Sequence, residues 1–136
     1  MKVVLDSNAL LVSISKKSRY RPIFDAFLQD KYTLSISNEV LNEYIEVITR
    51  FTNEEVAGNI AELLAIKSNV SKTEIYFRWN LIHSDADDNK FVDLAVASDA
   101  DYVVTNDSHF DVLKNVSFPQ VKLIRIEDFL QVVKAL

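Results

Sequence analysis

Hydrophobic positions along this chain fall into two rhythms. Short continuous runs, Val3-Val4-Leu5 and Tyr102-Val103-Val104, have no polar alternation and are rich in β-branched residues. Such runs suit parallel strands buried on both faces. Elsewhere apolar residues return every three or four positions, as in Val40, Leu41, Tyr44, Val47, Ile48 and Phe51, the spacing of one helix face. Ser37 or Asn38 is placed to cap that helix. The pattern predicts strands at 2–6, 32–36, 102–105 and 121–126. It predicts helices at 7–14, from Pro22 to about Gln29, and at 38–51, 53–67, 88–98 and 127–135. Pro22 is tolerated in a first helical turn, and Gly58 falls inside the 53–67 helix. Residues 74–79 read as a strand or hairpin by residue type, although neither period is clean there. A helical loop fills the stretch after 105 to about Leu113. Alternating strands and helices define an α/β class with a mainly parallel central sheet. No repeat, linker or low-complexity tract divides the 136 residues, so one domain over 1–136 is expected.

Both apolar runs end in polar, acidic clusters. The first passes into Asp6-Ser7-Asn8 and the second into Thr105-Asn106-Asp107. In an open parallel sheet, ligands bind beyond the carboxyl ends of the strands. Asp6 and Asp107, about a hundred residues apart in sequence, therefore share one sheet edge. Carboxylates gathered without basic partners repel one another, and a divalent cation relieves the repulsion.

Composition narrows the chemistry. The chain has no cysteine, which excludes disulfides, thiolate metal sites and cysteine nucleophiles. Gly58 is its only glycine, so a Walker loop, a dinucleotide-binding turn and a G-x-S-x-G elbow are all absent. Any phosphate must be held by side chains or metal. The opening Met1-Lys2-Val3-Val4-Leu5-Asp6 is too short and too soon acidic for a signal peptide, and no apolar run approaches a membrane span. A cytoplasmic location is the default expectation. Net charge is −5, but residues 1–34 carry +3 and residues 81–111 carry −7. An acidic total argues against a general nucleic-acid binder. It weighs less if several carboxylates are metal ligands and Lys16, Lys17, Arg19 and Arg21 face a substrate.

Asp88 shares a helix face with Phe91, Val92 and Ala95, so an inward-facing charge opens that helix as either a cap or a ligand. Asp85 and Asp87 read as solvated capping residues. Asp93 falls on the opposite face, where it can pair with Lys90. Glu39, Glu43 and Glu46 share the 38–51 helix; Glu43 lies on the border of its polar and apolar faces, and periodicity does not choose among them. His83 and His109 read as loop histidines with no catalytic role, and Trp79 as a packing residue.

Four segments taken together resemble the PIN-domain nucleases. They are Asp6-Ser7-Asn8 after the first strand, Glu43 within Val-Leu-Asn-Glu-Tyr-Ile-Glu-Val-Ile, Asp85-Ala-Asp-Asp88-Asn-Lys-Phe, and Ala100-Asp-Tyr-Val-Val-Thr105-Asn-Asp107. Order, spacing and context match over essentially the whole chain. The strongest likeness is to the toxins of bacterial and archaeal type II (VapBC-like) toxin–antitoxin pairs. The resemblance implies a PIN-like three-layer α/β/α sandwich and hydrolysis of RNA phosphodiesters to 5′-phosphate and 3′-hydroxyl ends. It implies Mg²⁺ or Mn²⁺ as cofactor, which suits oxygen donors. It carries the family's four acids onto Asp6, Glu43, Asp88 and Asp107, with Asn8 and Thr105 as supporting hydrogen-bonding residues. Asp6 and Asp107 are then principal ligands, Asp88 a ligand or shared with a second metal, and Glu43 a water-mediated ligand or an orienter of the nucleophile. Asn106 stands where relatives often have glycine. A small antitoxin and a second copy of the chain, the latter through the 53–67 helix, are the implied partners.

Two other readings compete. One is a PIN-like module that binds RNA or protein without cutting. The other is a haloacid-dehalogenase-type phosphatase, from Asp6-x-Asn8 and Asp107-x-x-x-Asp111; that pattern has Asn8 where the usual second aspartate belongs, and it lacks a lysine motif.

Overall fold

The computed structural model describes residues 1–136. Five strands form one sheet: β1 (Lys2–Leu5), β2 (Thr33–Ile36), β3 (Val70–Lys72), β4 (Tyr102–Val104) and β5 (Leu123–Ile124). Their spatial order is β3-β2-β1-β4-β5, and every pairing is parallel. Val3, Val4, Val103 and Val104 are fully buried, as two-sided coverage of central strands requires.

Six α-helices connect and cover the strands: α1 (Ser7–Ile14), α2 (Arg21–Leu28), α3 (Asn38–Phe51), α4 (Glu54–Ile66), α5 (Asn89–Ser98) and α6 (Ile126–Lys134). Two 3₁₀ segments, Ala86–Asp88 and Ser108–Asn115, flank α5 and β4. Right-handed crossovers put the connections after β1 and β2 on one face and those after β3 and β4 on the other. A three-layer α/β/α sandwich results. Its single core runs from Phe27 and Tyr32 against Phe129 to Phe91 against Phe110. No helix is long and apolar enough to cross a membrane.

The topology decides where a ligand can bind. From β1 the chain moves to β2 and β3 on one side, then returns to β4 and β5 on the other. The order therefore reverses between β1 and β4, and their carboxyl ends open a crevice there. Asp6 N–H donates to the Val104 carbonyl at 3.1 Å, closing the backbone at the floor of that crevice.

Local structure departs from the sequence reading in three places. Residues 74–79 are not a strand; the third strand is Val70–Lys72, paired with β2. Residues 74–83 run as irregular backbone from the end of β3 to α5, leaving Tyr76 and Phe77 exposed. That path explains the second departure. Asp93 is not on a solvated face paired with Lys90: it is 2% exposed, and its carboxylate accepts the Trp79 N–H at 3.0 Å. The passing segment buries a helix face that periodicity marks as polar. Third, the last strand shrinks to Leu123–Ile124, and α6 starts at Ile126.

Candidate metal centre

Asp6 is 7% exposed and caps α1, with Oδ1 accepting Ala9 N–H at 2.7 Å. Its Oδ2 accepts from the Thr105 hydroxyl, a link across the β1–β4 crevice. Capping and site placement thus coexist in one carboxylate, and two fixed donors lock its orientation. Burial pushes the Asp6 carboxyl above its ordinary range. The hydrogen bonds from Thr105 and Ala9 oppose that push, and the charges of Asp107 and Glu43 add to it.

Asp107 follows β4 and is half-buried. Its N–H donates to Thr105 Oγ1 at 3.0 Å, and its Oδ1 accepts His109 N–H at 2.9 Å. Thr105 therefore serves both acids, donating to one and accepting from the backbone of the other. Asn106 uses its side chain to accept the Ile126 N–H at 2.9 Å. Its φ is not positive, so the turn has no need of glycine. Asn8 is exposed.

Asp88 closes the 3₁₀ turn before α5. Its side chain is 16% exposed, and its Oδ2 is buried with no hydrogen-bond partner. A buried, unpaired carboxylate oxygen is costly unless protonated or bound by a cation. Burial first, and then the neighbouring Asp107 and Asp85, push this carboxyl up to about 7, while His109 acts in the opposite sense.

Glu43 meets different company. Lys90 donates to its Oε1 at 2.9 Å and Ser7 donates to its Oε2. Tyr44, fully buried, donates its hydroxyl to the Leu5 carbonyl at 2.6 Å and so pins α3 to the end of β1 beside Asp6. Burial holds the Tyr44 hydroxyl well above its ordinary pKa, keeping it a donor. For Lys90, burial alone would lower the pKa of the ammonium, but the hydrogen bond and charge of Glu43 outweigh it and hold the group above the ordinary lysine range.

The basic stretch divides on inspection. Arg21 is consumed inside the protein, bound to Asp25 at 2.8 Å and to the Ile14 carbonyl at 2.5 Å. Arg19 pairs with Glu127 at 2.8 Å. Lys16 and Lys17 remain exposed.

His109 went unrecognised in the sequence. It is partly exposed, but its Nδ1 lies 3.1 Å from Asp107, 3.6 Å from Asp88 and 3.7 Å from Asp85. One atom each from Asp85, Asp88 and His109 lie within 4.8 Å of one another. Asp85 also caps its own turn, accepting Asp87 N–H at 3.2 Å, while Asp87 is exposed. The only available signal was the position of His109 two residues beyond Asp107 in a short turn. Lys90 and Ser7 were missed as site residues because the Lys90–Asp93 spacing offered a local pair and a serine after an N-cap attracts no notice.

The arrangement is a cleft of oxygen donors at a topological switch point, backed by buried strands. A sequence model described as PIN domain matches residues 2–109. The chain belongs to the PIN-domain family. No curated protein matches it significantly by sequence. Among solved structures, this PIN domain is similar to VapBC2 from Rickettsia felis, whose crystal structure holds a DNA fragment from the promoter of the pair. The TM-score is 0.63 at 18% identity, with 92% of this chain and 98% of that chain covered. It is also similar to Mycobacterium tuberculosis VapC20, a toxin that cleaves the sarcin–ricin loop. There the TM-score is 0.58 at 13% identity, with 82% of this chain and 93% of that chain covered. At these identities the likeness establishes the fold. Family membership leaves the phosphatase reading without support.

Proposed function

We propose that this PIN domain, a single unit over residues 1–136, is a divalent-metal-dependent endoribonuclease and the toxin of a toxin–antitoxin pair acting in the cytoplasm. The observation that carries the reading is the unpartnered, buried Oδ2 of Asp88 at a crevice shared with Asp6 and Asp107. This is a hard-oxygen donor set with an unmet need for positive charge, and it fits Mg²⁺ or Mn²⁺. Asp6, Asp88 and Asp107 would hold the ion, with Glu43 contributing through water. When bound, such an ion lowers the pKa of water and offsets charge on a phosphodiester.

The protein's own groups do the positioning. Thr105 fixes Asp6 and the backbone of Asp107 in one geometry. Ser7 and Lys90 fix Glu43 at the rim, where its carboxylate can orient a water toward phosphorus. Attack by that water breaks the P–O3′ bond and leaves a 5′-phosphate and a 3′-hydroxyl. Lys16 and Lys17, exposed beyond the end of α1, supply unpaired positive charge for an RNA backbone, whereas Arg19 is paired with Glu127. The neighbours' toxin–antitoxin context supports a small antitoxin as partner. Phe51 at the end of α3 and Ile66 at the end of α4 are exposed apolar residues that an antitoxin or second copy could cover.

The test is to incubate wild-type and Asp6→Asn protein with labelled single-stranded and stem-loop RNA, with Mn²⁺, Mg²⁺ or EDTA. Cleavage that needs metal and disappears in the variant is expected. Equal cleavage by both proteins, or cleavage in EDTA, would overturn the assignment.

A further inference from the structure

Resting on the metal reading above, we propose that His109 is a nitrogen ligand to the bound ion, making this a mixed imidazole–carboxylate centre that favours Mn²⁺ over Mg²⁺. The His109 imidazole points into the acidic cluster. Its Nδ1 faces three carboxylates at once, with the closest oxygens at 3.1, 3.6 and 3.7 Å. A neutral ring with its lone pair on Nδ1 cannot be stable there, because lone pair and carboxylate oxygens repel. A proton on Nδ1, a proton on one of the carboxyls, or a metal ion must lie between them, and under the metal reading above it is the ion.

The second observation is where the unmet charge lies. Asp88 Oδ2, one of the oxygens facing Nδ1, has no hydrogen-bond partner although it is buried. A proton on Nδ1 is best used by Asp107, the nearest oxygen, and leaves Asp88 unmet. The ion proposed above, held by Asp88 beside Asp107, would satisfy that oxygen and take Nδ1 as a further donor, with Asp85 within 4.8 Å as an additional carboxylate. Neighbouring ligand atoms of an octahedral Mg²⁺- or Mn²⁺-sized ion stand about 3 Å apart, from metal–oxygen distances of about 2.1 Å. The distances from Nδ1 to Asp107, Asp88 and Asp85, 3.1, 3.6 and 3.7 Å, would need to close by less than about 1 Å to reach that spacing. His109 projects from the turn after Asp107, whose backbone is already tied down by Thr105, so the ring arrives on a fixed support.

Chemistry then sets the preference. Imidazole suits first-row transition ions, whereas Mg²⁺ takes oxygen and keeps its waters. An all-carboxylate site would discriminate little between the two; adding Nδ1 shifts the balance toward Mn²⁺. His83, the other histidine in the chain, is exposed and outside the Asp85, Asp88 and His109 cluster, and provides an internal control.

The experiment uses full-length protein loaded with Mn²⁺ and made with ¹⁵N-histidine. Electron spin-echo spectroscopy of the bound Mn²⁺ is expected to show coupling to a histidine nitrogen, retained in His83→Ala and lost in His109→Ala. Calorimetry is expected to show Mn²⁺ affinity falling about tenfold or more in His109→Ala, with Mg²⁺ affinity changing far less. Tight Mn²⁺ binding without nitrogen coupling in the wild type would overturn the ligand assignment while leaving the metal centre intact. Failure of wild-type protein to bind Mn²⁺ would overturn both. The wild-type spectrum needs no variant to fold, so a misfolded His109→Ala does not obscure the result.

Discussion

The two ends of the acidic crevice are built on opposite principles. At one end Glu43 is saturated: both carboxylate oxygens have donors, and one donor is the ammonium of Lys90 at 2.9 Å. At the other end Asp88, Asp107 and Asp85 converge with no lysine or arginine, and one buried oxygen of Asp88 has no partner. The same residue type is thus neutralised internally at one end and left in need of a cation at the other. Under the proposed function the ion follows unmet charge rather than acid count, and that unmet charge lies between β4 and α5 rather than on α3.

The largest effect expected from breaking this contrast comes at the open end. Asp88→Asn is expected to abolish Mn²⁺ binding and to reduce cleavage by more than the roughly 100-fold ceiling typical of outer supporting residues. Titration calorimetry and single-turnover cleavage check it. Thr105→Val is expected to cost about 10- to 100-fold in activity with the fold intact, because it frees the Asp6 carboxylate and loosens Asp107 without removing a ligand.

At the closed end the effect is on stability first. Lys90→Ala leaves a half-buried carboxylate without its counter-charge and is expected to destabilise by about 1–3 kcal/mol, measured by urea unfolding. Glu43→Gln with Lys90→Ala is expected to recover part of that loss, since neither charge is then stranded.

The open end also predicts a pH signature for the metal-free protein. Asp88 is raised from 3.8 to about 7, chiefly by burial and then by Asp107 and Asp85. The folded state therefore holds the proton more tightly than the unfolded chain. Stability from this group is complete below about pH 4 and is lost as pH rises through about 7. The apo-protein melting temperature is expected to fall across that window, and the fall is expected to flatten in Asp88→Asn. A slope unchanged by the substitution would place the titration elsewhere.

The smallest effect is a control far from the crevice. Gly58 lies exposed inside α4, and an added Cβ would meet no atom within 4 Å. Gly58→Ala is expected to stabilise by about 0.5–1 kcal/mol through lost chain entropy alone, with no change in metal affinity.

The elements that were legible in the sequence share one property: their pattern was imposed by burial on a regular surface. Val3 to Leu5 and Tyr102 to Val104 read as buried strands because both sheet faces are covered, and the apolar stripe of α3 matches its buried Val40, Tyr44 and Ile48. What escaped reading was set by irregular chain packed on irregular chain. Residues 74–83 have no period because they follow the surface of α5, and only their passage buries Asp93. Within the crevice, the placement of Asp6 at a strand end was legible from topology. The pairing of Lys90 with Glu43, 47 residues away, was not, because a nearer partner at i+3 offered an equally good local account. His109 was hidden for a similar reason: its approach to Asp85 and Asp88 depends on two loops meeting, one before α5 and one after β4.

Calorimetric titration of Mn²⁺ into wild-type, Asp88→Asn and Glu43→Gln protein tests the central claim most directly. The open-end account predicts one saturable site in the wild type, loss of binding in Asp88→Asn, and binding retained within a few-fold in Glu43→Gln. Loss in Glu43→Gln with retention in Asp88→Asn would contradict it and move the ion to the end that Lys90 already neutralises.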